Sequence, residues 1–357
     1  MKTFNLKKIG ISALAGSLVA LSAQAGELSV TGSAEVTYTS RNGTESTGNP
    51  IGTNKAISFK GNHEFDNGWS ASMTHTMLDT LAGISSSIYT LNAGMLGKMG
   101  IGQGDAGYGI KAIDNVMPTA YEEADHGMNT GLVVGGDIQA SGNHFFYQTP
   151  AVPTIGLQVE YVYTKSVGSG AASDGATATG TDAYGMGHSA AIKLIDAWGL
   201  TIGGGASEIE LLHTDRGRVG NSNARLTYQD NPWEATAYIK YAYGPFTIGY
   251  QAFGEDDQET ATAAVDYHQG KIWGISMNVS DSLSVSYQYG QDKYHYNNED
   301  RAASSGGQNV TAEVEGWSVA YNMGPLAIKI TRNEGVNLGG STHNVDTNTE
   351  VSLSLAF

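Results

Sequence analysis

Apolar side chains recur at every second position from one end of the chain to the other. Leu283, Val285, Tyr287 and Tyr289 alternate with Ser284, Ser286 and Gln288. Trp317, Val319 and Tyr321 alternate with Ser318, Ala320 and Asn322. The chain ends the same way, with Val351, Leu353, Leu355 and Phe357 set against Ser352, Ser354 and Ala356. A period of two predicts strands with one apolar face and one polar face. Equivalent runs start at Leu28, Ile155, Ile239, Phe246 and Leu326.

The polar half of the pattern decides what the apolar half faces. A sheet in bulk water carries Lys, Glu and Arg on its outer face. Here the polar positions are mostly Ser, Thr, Gly, Asn and Gln, with scattered charges, which suits a wet interior. The apolar positions carry no charge over most of the runs, and a charge at a lipid midplane costs about 2–4 kcal/mol.

Short and long connections alternate. The short ones are Asp66-Asn67-Gly68, Leu96-Gly97, Pro150 to Thr154, Asp196 to Gly199, Gly244-Pro245, Ser280 to Ser282 and Gly324-Pro325. These have tight-turn chemistry, Asn-Gly for positive φ and Gly-Pro for a fixed kink. Polar segments rich in Gly, Ser and Asp, such as 165–188 and 253–265, lie between them. Seven short turns with both termini on one side imply eight long loops, and hence sixteen strands. The expected fold is all-β, an antiparallel up-and-down barrel that spans a membrane.

Composition agrees. There is no cysteine, charged residues make up 15% of the chain, and 48 of its 357 residues are glycine. Mean hydropathy is −0.24. Lys2, Lys7 and Lys8 precede an apolar run from Ile9 to Ala20 and an Ala23-Gln24-Ala25 cleavage site. Residues 1–25 therefore read as a secretory signal, because the apolar run is too short to span a bilayer. Residues 26–357 read as a single barrel. Without the leader, 16 basic side chains face 35 acidic ones, a net charge of −19. That argues against nucleic acid as a partner. Beyond residue 25 no apolar run approaches 18 residues, so a membrane role requires strands that close on themselves.

Aromatics cluster at the short turns. Phe65 and Trp69 bracket one, Tyr243 and Phe246 another, Trp198 sits in a third, and Phe357 ends the last strand on the same side. They read as a girdle at the periplasmic interface.

One long loop differs from the rest. Residues 105–142 follow the strand Met99–Gln103 and carry Ile110, Ile113, Val116, Met117, Leu132, Val133 and Val134. A long loop rich in packable residues is expected to fold against the lumen wall. With the leader, the alternating strands and the terminal phenylalanine, the chain resembles a gram-negative general diffusion porin of the glycine-rich alphaproteobacterial kind.

The resemblance covers residues 26–357. It implies an outer-membrane homotrimer of sixteen-stranded barrels, set in outer-membrane lipid and lipopolysaccharide, with the third extracellular loop narrowing a diffusion pore for small hydrophilic solutes and ions. It implies no cofactor and no enzymatic step. Members often carry Pro-Glu-Phe-Gly-Gly-Asp in that loop, where this chain has only Val134-Gly135-Gly136-Asp137. The resemblance also implies an eyelet with loop acids facing wall bases. The acids are Asp114, Glu122, Glu123 and Asp125. The bases that strand parity turns inward are Lys60, Lys193, Lys240 and Lys329. Lys60 lies mid-strand and is the first candidate for the wall, with the other three expected nearer the short turns, below the constriction. The mature charge points to a cation preference.

Other chemistries are weaker. Nine histidines include no His-Glu-x-x-His spacing, so no metal site is expected. Gly100 to Gly104 lacks the following helix that a phosphate loop needs. Asp256, Asp257, His268, His295 and His343 would have to converge at the rim for a barrel enzyme. The run Gly254 to Glu259 reads as a solvated loop. Tyr238 and Phe253 face inward by parity and are the only support for a sugar path in a substrate-specific porin. In such porins the terminal aromatic strand resembles the tag read by the barrel-assembly machinery. Deleting Phe357 is therefore expected to cut the yield of membrane-inserted barrel more than the unit conductance of what does insert. Equal yields from both forms would refute it.

Overall fold

The computed structural model describes residues 26–77, 79, 84–104, 107–132, 134, 143–153, 155–165, 167, 184–211, 231–256, 265–296 and 309–357. The expected leader, Val133, the Gly135-Gly136-Asp137 stretch, Asp257 and the centres of several long loops lie outside the described residues.

Sixteen strands form one closed antiparallel barrel. They are β1 (Leu28–Gly43), β2 (Ile51–Glu64), β3 (Ser70–Met77), β4 (Ile84–Asn92), β5 (Lys98–Gln103), β6 (His144–Gln148), β7 (Leu157–Thr164) and β8 (Tyr184–Ala197). They continue as β9 (Leu200–Leu211), β10 (Trp233–Tyr243), β11 (Phe246–Asp256), β12 (Val265–Asn278), β13 (Leu283–Tyr296), β14 (Val310–Met323), β15 (Leu326–Val336) and β16 (Val345–Ala356). Each strand pairs with its chain neighbours, and β1 closes on β16 from Ser33 opposite Ala356 to Gly43 opposite Asp346. All seven short turns join strands where the pattern expected them. Trp198 and Gly199 make the turn between β8 and β9, both at positive φ.

The two faces of the last strand separate as its alternation requires. Val351, Leu353 and Leu355 are 41–47% exposed on the outside, while Ser352 and Glu350 are 0% and 6% exposed on the inside. Phe357 pairs its N–H and C=O with Gly32 at 2.9 and 2.8 Å, so the terminus is part of the ladder. Its ring lies where a side chain on Gly32 would stand.

On β11 to β15 the outward residues change character at one level. Tyr250, Trp273 and Tyr289 are aligned in register, with Tyr287 beside Trp317. The next outward positions are Lys271, Gln291, Glu315 and Arg332. Three or four apolar outward residues per strand, tilted by about 40°, give a lipid band roughly 20 Å high. The expected girdle residues all lie at the short-turn end, with Phe65, Trp198, Tyr243, Phe246 and Phe357 exposed and Trp69 half-buried. The second aromatic row bounds the other side of the band. The alternation contained it, but it was not read as a boundary.

Two expectations about loops need correction. β8 starts at Tyr184, inside the span read as loop. β11 takes in Gly254, Glu255 and Asp256, which were read as a solvated run. Both strands continue past that level, β11 with Gly254 and Asp256 outward and β8 with Met186 and His188 outward. Local polarity marked the end of the lipid band rather than the end of the ladder.

Candidate functional site

The loop after β5 lies against the inner wall. It begins at Tyr108, whose ring stacks on Phe146 at 3.9 Å. Gly100 makes room there, because a side chain on it would run into the Phe146 ring and the Tyr89 carbonyl. A short 3-10 turn, Gly109–Ile113, follows on β7 to β10. Ile110 and Ile113 are fully buried there with Met117, Val134, Ala191, Tyr238, Phe253 and Ile272. Tyr238 and Phe253 thus face inward as parity required, but they pack beneath the loop. They do not offer stacked rings along a sugar path.

The wall supplies the polar partners that the loop backbone lacks. Glu160 and Ser189 accept the Gly109 and Ile110 N–H groups at 3.1 and 2.8 Å. Gln251 donates to the Ile113 carbonyl at 2.9 Å. Gln288 donates to the Met117 and Pro118 carbonyls at 3.3 and 3.2 Å and accepts the Ala124 N–H at 2.9 Å. Ser286 and Ser318 accept the Ala120 and Tyr121 N–H groups at 2.9 and 3.0 Å. Asn333 donates to the Glu123 and His126 carbonyls at 3.1 and 3.0 Å, and Asn348 to His126 at 3.2 Å. Asp346 accepts the Asn129 N–H at 2.9 Å. The loop therefore runs around the inside from β7 to β16. Lumen glycines seat it: a side chain on Gly274 would stand 2.9 Å from the Pro118 carbonyl oxygen, and one on Gly316 3.0 Å from Ala124 Cα.

Tyr121 ties the loop to the seam between β1 and β16. Its hydroxyl donates to Glu350 at 2.8 Å and lies 3.1 Å from Glu35. Burial, with both carboxylates adding, pushes that hydroxyl's pKa well up, so it stays a donor. Lys329 completes the cluster, 3.1 Å from Glu35 and 4.3 Å from the Tyr121 ring centre.

The four inward lysines do not share one environment. Lys329 is paired as described. Lys193 forms a 2.6 Å ion pair with Glu160, the residue that accepts the Gly109 N–H. Lys240 is 5.6 Å from the Tyr238 ring, and the Gly249 site beside it also meets Pro118. These three were expected below the loop and instead stand at its level, because the loop passes low along this side of the wall. Lys60 is exposed on the inner face of β2 and makes no ion pair among the described residues.

The loop acids also divide. Asp114 pairs with Lys111 at 2.8 Å. Asp125 turns inward to accept the Leu132 N–H at 2.8 Å, and burial raises its pKa. Glu123 is raised as well, by burial and by Glu122 and Asp125 beside it. Glu122 lies 3.5 Å from Nδ1 of His126, whose Nε2 lies 3.5 Å from Glu350. His126 was not singled out from the sequence, since its carboxylate neighbour on β16 is distant in the chain. Burial opposes the charged form of His126, but Glu350, Glu122 and Glu123 outweigh it and raise its pKa.

Of the rim groups named for a barrel enzyme, His268 lies between Asp292 and Glu255, with Nε2 3.9 Å from Glu255. His268 points inward to Asp292 at 3.1 Å, while His295 points outward and stacks on Tyr267.

The fold matches solved outer-membrane barrels. OmpF of Salmonella typhi, in complex with daunomycin, aligns with a TM-score of 0.67 over 93% of this chain and 98% of its own, at 12% identity. The fold is that of the outer-membrane porins. The anion-selective porin from Comamonas acidovorans aligns at TM-score 0.62 and 13% identity, over 93% of this chain and 99% of its own. A trimer form of OmpT from Vibrio cholerae aligns at 0.62 and 12%, over 93% of this chain and 100% of its own. No protein-family model matches the sequence, and no curated protein matches it.

This porin fold holds its inner loop through the Gln288 carboxamide more than through any other single side chain. Gln288→Leu would leave two loop carbonyls and one N–H without their partner, each worth about 1–3 kcal/mol if buried unmet. Hydrogen exchange should accelerate in peptides covering 117–126 and stay unchanged in the β13 and β14 ladder. Unchanged loop exchange would show that the carboxamide does not hold the loop.

Proposed function

We propose that this protein is an outer-membrane diffusion porin whose inner loop sets the width and charge of an aqueous path for small hydrophilic solutes and ions. The observation that carries this reading is the loop fastened by its own backbone to one side of the lumen, from β7 round to β16. The remaining wall, β2 to β4, presents Asn54, Ser58, Lys60, Thr74, Thr76 and Thr90 to the lumen. A path between that wall and the loop needs no chemical step.

The eyelet is set by Asp114, Glu122, Glu123 and Asp125 against Lys60, and it favours cations. Two of the four wall bases are neutralised by Glu160 and Glu35, and Lys240 lies half-buried beside the loop. Low-dielectric walls focus the field of the charges that remain.

The working form is a homotrimer, as the trimer form of the Vibrio OmpT suggests. His75 and Ser87 support it. They hydrogen-bond at 2.6 Å on the outward faces of β3 and β4, where other strands carry apolar side chains. A shallow cavity of about 660 Å³ near them is lined by Gly61, His63, Ala71, Met73, Tyr89 and Ile101. A second subunit would cover this polar pair. The girdle aromatics anchor the barrel in lipid at the short-turn end, which faces the periplasm. Lipopolysaccharide surrounds the other end, and the barrel-assembly machinery reads Phe357. Tyr238 and Phe253 lie buried under the loop and lend no support to a substrate-specific path.

Reversal potentials across a salt gradient in a planar bilayer test the charge assignment. Cation preference is expected in the native channel and should fall by roughly half in the Glu122→Gln, Glu123→Gln double variant, which removes two of the four loop acids. An unchanged ratio would remove these residues from the path. The pH dependence has a definite sign. Glu123 and Asp125 take up protons at higher pH than free carboxylates, and His126 holds its proton at higher pH than a free imidazole. All three changes make the loop less negative as pH falls. Cation preference should therefore decline on lowering the pH from neutral towards 5, and a constant or rising preference would contradict it.

A further inference from the structure

Glu122, His126 and Glu350 bring three ligating atoms within 4.8 Å of one another. The two carboxylates come from different elements, one from the loop and one from β16. Glu350 is held in place, because its side chain is only 8% exposed and accepts hydrogen bonds from Tyr121 and Thr39 at 2.8 and 2.9 Å. His126 is held by its own carbonyl, which accepts from Asn333 and Asn348. Its ring and the Glu122 carboxylate remain partly open to the lumen.

A protonated imidazole lodged between two carboxylates is the simplest account, and the distances do not suit it. Charge-assisted N–H···O bonds run about 2.7–2.9 Å. Here both ring nitrogens stand 3.5 Å from their carboxylate oxygens. Nε2 is buried and makes no hydrogen bond. Two donors that bind one tetrahedral ion at about 2.0–2.2 Å sit roughly 3.4 Å apart. The gap between Nε2 and the Glu350 carboxylate has that span. One imidazole and two carboxylates, with water completing the shell, suit Zn²⁺ and its first-row neighbours better than Ca²⁺ or Mg²⁺, which prefer oxygen alone.

We propose that Glu122, His126 and Glu350 form a binding site for a divalent first-row transition cation of the Zn²⁺ class, which clamps the inner loop to β16. Nε2 of His126 and the Glu350 carboxylate are the fixed donors, and Glu122 closes on the ion from the lumen side. A bound ion adds two positive charges where the loop meets the seam. Under the channel reading it also lowers cation preference.

The binding itself does not rest on the channel reading and is measured without it. Zn²⁺ is titrated by calorimetry into the full, folded barrel in detergent after chelator treatment. One saturable Zn²⁺ per chain is expected. His126→Gln should weaken it by more than the roughly tenfold that loss of even an outer partner costs a metal site, and Glu122→Gln should weaken it while leaving the Tyr121 contacts intact. His343→Gln, in the turn between β15 and β16, controls for histidines elsewhere. The proposal is overturned by the absence of saturable binding, by equal affinity in His126→Gln, by a loss in His343→Gln instead, or by Ca²⁺ displacing Zn²⁺ at equal concentration. Reversal potentials with and without Zn²⁺ then address the channel. A barrel that binds Zn²⁺ but conducts nothing would refute the porin reading and leave the site standing.

Discussion

Lipid offers a backbone no hydrogen-bond partner, and this single constraint organises the molecule. Each unmet N–H or C=O in hydrocarbon costs several kcal/mol. Strands can cross only if every edge finds another edge, so the first strand must meet the last. The β1–β16 seam answers that demand over eleven residue pairs, from Ser33 to Gly43. Phe357 belongs to the same answer. Its N–H and C=O are both spent on Gly32, and its ring lies over the space that glycine leaves open.

Closure creates a second version of the same problem inside. Among its described residues the inner loop has one short 3-10 turn and little other regular structure. Its backbone groups lie against a wall whose own ladder is complete, so that wall's backbone has nothing left to give. Side chains must supply the partners. Gln251, Gln288, Asn333 and Asn348 do so with carboxamides that both donate and accept. Ser189, Ser286 and Ser318 do so with hydroxyls. The lumen's high share of uncharged polar side chains is therefore more than a lining for water. On this side it replaces the solvent the loop has lost, and glycines bring the loop close enough for the bonds to form.

The barrel was legible because its signal is periodic and repeated. Alternation, seven tight turns and an apolar last strand gave the strand count, the facing of each side chain and the closing pair. The limits of the strands were less legible at the long-loop end, where Glu255 and Asp256 look alike in sequence yet stand on opposite faces of one ladder. The site was legible only in part. Parity turned Lys60, Lys193, Lys240 and Lys329 inward, but parity says nothing of height relative to a loop. The loop's low path brought Lys329 against Tyr121, and Lys193 against the acid that holds Gly109. Glu350 and His126 lie far apart in the chain, and no local spacing relates them. Their meeting is a product of closure.

An anion-selective porin superposes on this chain at 13% identity, so the shared fold carries no charge preference with it. The sign of the field inside the barrel belongs to its side chains. Net charge is a poor proxy for it, because acids on outer loops are screened within about 8–10 Å at ordinary ionic strength. What counts is which inner charges lack a counterion. Glu160 holds Lys193 and Glu35 holds Lys329, so two wall bases contribute dipoles instead of charges. Lys111 does the same for Asp114. His126 sits between Glu122 on the loop and Glu350 on β16, so a proton it takes up acts on the loop's charge and on its attachment together.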